Sequence, residues 1–210
     1  MRGRSLLLAL FVIACPVLAG FGAHAGEADA PSPAAQVEAK TRLLETPAGW
    51  AVEQIPIPLG FAPSLEFTGL EDVRFAPGWS VPGSPEFWTY KFAWEIAEDP
   101  RPDEERLALM LETYYDGLSH AVSQLGDSLQ APAAVFVRDG DHYRGRLRIY
   151  DAFATNKWIH LNARVRSTKR GGKHLLVFEL SPQGFGHEVW RRLASIRVTG
   201  SGAPAPTGGE

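Results

Sequence analysis

The sequence predicts an α+β fold, a single domain with a mostly antiparallel sheet packed by one long helix and a short C-terminal helix. Three observations point to it. From Trp88 the even positions Trp88, Tyr90, Phe92, Trp94 and Ile96 are large and apolar, while Thr89, Lys91, Ala93 and Glu95 are small or polar. A period of two marks a half-buried strand. Leu107, Met110, Leu111, Tyr114, Leu118, Ala121, Val122 and Leu125 follow helical spacing over about five turns. Beyond residue 132, alternating runs are punctuated by Asp139-Gly140, Ala154-Thr155-Asn156-Lys157 and Gly171-Gly172, the turn chemistry of a meander.

The ends read differently from the middle. Arg2 and Arg4, the apolar run Leu6 to Val17 and the small-x-small site Ala23-His24-Ala25 together make residues 1–25 a secretory signal peptide. Val12-Ile13-Ala14-Cys15 also fits a lipobox, in which Cys15 would carry lipid, but Pro16 disfavours it and the downstream site favours cleavage after Ala25. The expected location is therefore periplasmic or extracellular. Cys15 is the one cysteine, so the domain must be held by its core, without disulfides. Residues 26–40 and 200–210, rich in Ala, Pro and Gly without apolar periodicity, read as a disordered tether and a disordered tail. Residues 41–199 are the domain. No later stretch approaches the roughly 20 apolar residues of a membrane-spanning helix.

Within the domain, Trp50 to Pro58 alternates but contains Pro56 and Pro58, which places it on a sheet edge. Leu70 to Phe75 is the next strand, with Asp72 and Arg74 on one face as a surface ion pair. After the aromatic strand, Asp99 to Glu105 carries a proline and acids where a helix begins. Gly117, inside the helix, signals a close approach to a strand. His120, four residues after Asp116, reads as solvated. Ala133 to Val137 is a short apolar strand. The following strand sends Tyr143, Leu147, Ile149 and Phe153 inward and Arg144, Arg146, Arg148 and Tyr150 outward. In the next, Ile159, Leu161, Ala163 and Val165 face inward and Trp158, His160, Asn162, Arg164 and Arg166 outward. His174 to Leu180 is apolar at both parities and is expected to be buried on both faces. Val189, Trp190, Leu193 and Ile196 form the short helix.

This element order, ending in a strand and a Trp-led helix, resembles the PsbP and Mog1 type of α+β sandwich. The Phe-Ala-Pro and Phe-Trp-Thr-Tyr segments at Phe61 and Phe87 are similar to those of uncharacterised exported bacterial proteins. The resemblance implies an accessory or partner-binding role in the envelope. It assigns no functional residue.

Motifs for catalysis and metal binding are missing. The histidines at 120, 142, 160, 174 and 187 form no HxH, HxxxH or HExxH pattern, so no metal and no cofactor is expected. Asp139-Gly140-Asp141-His142 reads as a turn. GxSxG and SxxK nucleophile motifs are absent, and Ser181 to Gly186 lacks the lysine of a phosphate-cradling loop. Charge is the informative feature. Residues 26–137 hold 18 acids and 6 bases, whereas residues 138–197 hold 13 bases and 5 acids. Arg144, Arg146, Arg148, Arg164 and Arg166 fall on one sheet face, where like charges repel unless something negative covers them.

Three expectations follow from that stripe. The acidic first half folds over it and neutralises it, leaving a purely structural envelope protein. Alternatively Arg144, Arg146, Arg148, Tyr150, Trp158, His160, Arg164 and Arg166 bind an anionic partner: an envelope polymer, a lipid surface or an acidic protein. Nucleic acid is excluded by export and by a pI of about 6.1. In the third, a hydrolase-like enzyme uses the arginines to hold an anionic substrate, with His160 or His174 as base and Asp151 or Glu179 as orienting acid.

Overall fold

The computed structural model describes residues 42–123 and 130–200. The expected leader, the tether, residues 201–210 of the tail, and Leu125 and Gly126 at the end of the long helix lie outside them. Seven strands, β1 (Ala51–Ile57), β2 (Gly69–Phe75), β3 (Tyr90–Ile96), β4 (Ala133–Asp139), β5 (His142–Asp151), β6 (Lys157–Arg170) and β7 (Lys173–Ser181), accompany helices α1 (Glu104–Val122) and α2 (Glu188–Ser195). The sheet order is β1-β2-β3-β7-β6-β5-β4, and every neighbouring pair is antiparallel. Two meanders thus meet where β3 pairs with β7, and α1 connects the central β3 to the edge strand β4. The single α+β domain read from the sequence is the fold. No helix among the described residues is long and apolar enough to cross a membrane.

The first face of the sheet carries the main core. Tyr90, Phe92, Trp94 and Ile96 join Leu176, Phe178 and Leu180 of β7 and Leu161, Ala163 and Val165 of β6 beneath Leu107, Met110, Leu111 and Tyr114 of α1. Phe92 stacks on Phe178 at 4.4 Å and on Tyr114 at 5.6 Å, so the aromatic strand, its cross-strand partner and the helix share one contact. Asp103 caps α1 by accepting from the Arg106 amide at 2.7 Å, with Glu104 and Glu105 in the first turn. Gly117 does mark a close approach, but to a loop: a Cβ there would lie 1.9 Å from the Phe61 carbonyl oxygen. The loop after β1, carrying Leu59, Ala62, Leu65 and Phe67, completes this face.

The second face departs from expectation. Thr89, Lys91 and Ala93, assigned to the open side of a half-buried strand, are buried, because α2 and the segment before β1 form another core from Leu43, Leu44, Trp50, Val189, Trp190, Leu193 and Ile196. Lys91 fits there because its Nζ donates to Glu179 Oε1 at 2.9 Å and to the Leu193 and Ile196 carbonyls at 3.0 and 2.8 Å. A cation thus closes the C-terminal end of α2. Trp88, read as part of the strand, precedes it at a φ of 50°. Burial of β7 on both faces is as the sequence indicates.

Asp72 and Arg74 are not a surface pair. Both side chains are at 0% exposure and 2.5 Å apart. Asp72 Oδ2 accepts from the Leu43 and Leu44 amides at 2.7 and 3.0 Å, and Arg74 donates to the Leu44 and Glu45 carbonyls. The pair clamps the segment before β1 to the sheet. Removing one partner strands the other's buried charge. Asp72→Ala should cost about 3 to 5 kcal/mol, read as a fall in the urea midpoint.

Glu71, on the first face of β2, is at 0% exposure and accepts from the Tyr114 hydroxyl at 2.9 Å. Burial pushes its carboxyl from 4.5 up to about 8, against the pull of the Tyr114 hydrogen bond. The folded protein therefore holds a proton that the unfolded chain releases near pH 4.5. Its contribution is complete below that pH and is lost as pH rises through about 8. The total is on the order of 5 kcal/mol. Urea unfolding from pH 5 to 8.5 should show this decline in the wild type and a much flatter profile in Glu71→Gln; matching slopes would contradict it.

Candidate functional site

The β5–β6 ladder sets Arg144 opposite Arg164, Arg146 opposite Asn162, Arg148 opposite His160 and Tyr150 opposite Trp158. The strand parity read from the sequence thus brings the candidate residues onto one face. This is the second face of the sheet, where α2 reaches only as far as Arg164. Toward the β4 edge Val135 and Val137 stand 61% and 59% exposed, and Arg144, Arg146, His160 and Arg166 are exposed.

The five arginines are in different surroundings. Arg164, at the border with α2, is 18% exposed and contacts Glu179 Oε2 at 3.2 Å, with its guanidinium 5.4 Å from the Trp190 ring. Arg144 pairs with Asp139 at 2.5 Å and lies 5.1 Å from the Phe185 ring. Arg166 reaches Asp141 at 3.7 Å. The hydrogen bond from His142 and the Arg166 charge hold the Asp141 carboxyl below its ordinary range. Arg148 lies 3.9 Å over the Trp158 ring and donates to Gln130 Oε1 at 3.1 Å. That stacking fixes its planar head without neutralising it. Arg146 has no ion-pair, hydrogen-bond or ring partner among the described residues.

Among the described residues the acids that meet this stripe are Asp139, Asp141 and Glu179, all from the basic half itself. None of the described residues of the acidic first half folds over it. Its carboxylates compensate other bases, as in Glu45 with Arg197, Glu86 with Arg192 and Glu95 with Lys173. What remains is an open depression of about 450 Å³ lined by Ala133, Ala134, Val135, Leu147, Arg146, Arg148 and His160. Two guanidiniums and an imidazole over an aliphatic floor suit a carboxylate, phosphate or sulfate group, which accepts from planar donors.

The depression contains only three of the eight residues read as candidates, namely Arg146, Arg148 and His160. Trp158 supports Arg148 from beside it, and Tyr150 meets Trp158 edge to face at 5.7 Å. Sequence reading missed the wall supplied by β4. The signal available was the alternation Ala133, Val135, Val137, which has the outward parity of the arginines once β4 pairs with β5.

The proposed base and acid pairs are not assembled. Asp151 is at 0% exposure and accepts from the amides of Phe153, Ala154 and Thr155 and from the Thr155 hydroxyl, holding the β5–β6 turn. That turn carries Phe153 outward, to 45% exposure, against Trp79 and Trp88 and away from the expected core. Glu179 is bound by Lys91 and Arg164. His174 faces Asp99 at 3.5 Å, at the far end of β7. Among the described residues no cluster of three or more His, Cys, Asp or Glu is placed to hold a metal ion.

No protein-family model, curated protein or solved structure matches this chain. The depression is therefore read from its own chemistry.

Proposed function

We propose that this protein is an exported binding module of the bacterial envelope that captures an anionic group of its partner in the Arg146–Arg148–His160 depression. The observation that carries the reading is Arg146, a solvent-facing guanidinium on a shallow, open depression, with no acid among the described residues to compensate it. Arg148 beside it is already oriented by Trp158 and Gln130, so little side-chain freedom is lost when an anion docks. The leader-like residues 1–25 support the location. Arg144, Arg164 and Arg166, each satisfied by a carboxylate, frame the site and bind weakly or not at all.

Such capture is electrostatic and exposed, so it weakens as salt rises past about 0.15 M, where screening acts over about 8 Å. Arg146→Glu should abolish retention on a phosphate-bearing resin. Arg146 supports nothing in the fold, so the melting temperature should stay within about 2 °C of wild type. Undiminished retention by a folded Arg146→Glu protein would overturn the reading. So would a large fall in melting temperature, since it would show Arg146 to be paired in the folded chain.

A further inference from the structure

Beside the depression the sheet ends in a backbone edge that no described residue covers beyond Ala134. The β4–β5 hairpin turns through Gly140 and Asp141, with Asp139 and His142 as its closing pair. In a two-residue hairpin that pair is hydrogen-bonded, and bonding alternates from it. Val137, Val135 and Ala133 therefore bond to β5, and Arg138, Phe136 and Ala134 turn their N–H and C=O groups outward. An independent contact agrees: the Ala134 amide donates outward to Glu112 Oε1 of α1 at 2.7 Å. Glu112 thereby blocks the start of the edge. The amides and carbonyls of Phe136 and Arg138 have no partner among the described residues. The opposite edge strand, β1, is guarded by Pro56, and β4, with the sequence AAVFVRD, contains no proline or lysine to discourage strand addition.

We infer that β4 is a docking edge for an extended acidic polypeptide, which adds as an eighth strand and sets carboxylates into the depression. The inference rests on the anion-binding reading above and names the partner for that site. Alternate side chains of an added strand point to opposite faces. On the second face they meet Val135, Val137, Arg146 and Arg148, which call for carboxylates with aliphatic stems. On the first face they meet the flank of α1, where Leu109 stands 53% exposed three residues before Glu112 and so on the same side of the helix. The fitting sequence therefore alternates acidic and apolar residues. A second copy of this chain is disfavoured as occupant, because it would bring two arginine rows to one junction where the only β4 carboxylate on that face, Asp139, is already paired with Arg144. Backbone pairing supplies affinity and the alternate side chains supply selectivity.

The test uses the full chain and three probes: a seven-residue peptide alternating glutamate and valine, the same peptide N-methylated at alternate residues, and inorganic polyphosphate. N-methylation preserves charge and removes the ladder donors. The unmodified peptide should bind at least tenfold tighter than the methylated one. Arg138→Pro, which deletes one outward amide, should weaken the peptide at least tenfold and leave polyphosphate within about threefold, the cost of one lost charge. Arg138→Ala, which loses the same charge and keeps the amide, should stay within about threefold for both. Equal binding of the two peptides, or polyphosphate binding with no peptide binding, would overturn strand addition and leave anion capture standing. Failure of every probe would overturn both. Self-association abolished by Arg138→Pro would assign the edge to a second copy and overturn the acidic partner.

Discussion

The junction of β3 and β7 is the part of the sheet that both halves of the chain need, and it is buried on both sides. On the first face Phe92 and Phe178 stack under Tyr114. On the second, Lys91 and Glu179 form an ion pair whose cation also closes α2. Each meander contributes one strand to this seam, so neither half has a complete core alone. Helix α1 returns from the seam to the far edge and packs on β4 and β5.

From the seam outward the second face thins for a dimensional reason. A helix is about 10 to 12 Å across and strands are spaced by about 4.8 Å, so a single helix covers about two strand intervals. Helix α2, centred on β7, shelters β3 and the near side of β6. The segment held by Asp72 and Arg74 extends that cover to β2. Nothing comparable among the described residues lies over β5 and β4. The arginine environments follow this gradient, from Arg74 at 0% exposure through Arg164 at the border to Arg146 in solvent. A stripe that looks uniform in sequence is therefore graded, and among the described residues only its outer part is left uncovered.

Much of this was legible in the chain. Alternation located β3, β5 and β6 and put Arg144, Arg146, Arg148, His160 and Arg164 on one face, because a period of two depends only on local geometry. The same pattern could not show that Thr89, Lys91 and Ala93 were covered, since the covering residues, Leu43, Leu44, Val189 and Leu193, are dozens of positions away. Asp72 and Arg74 were misread for that reason. Charge counting found the imbalance between halves but not its destination, because Glu45, Glu86 and Glu95 meet Arg197, Arg192 and Lys173 through the fold. The edge position of β4 is topological, and no composition or spacing marks it.

The central claim is that the described residues cover the second face over β2, β3 and β7 and leave it open over β5. Phenylglyoxal modification of the native protein, mapped by mass spectrometry against time, measures this directly, since it reports the accessibility of each guanidinium. The account predicts that Arg146 reacts among the first, that Arg164 lags behind it, and that Arg74 reacts only on unfolding. Protection of Arg146 comparable to that of Arg74 would show the face to be covered and would contradict the account.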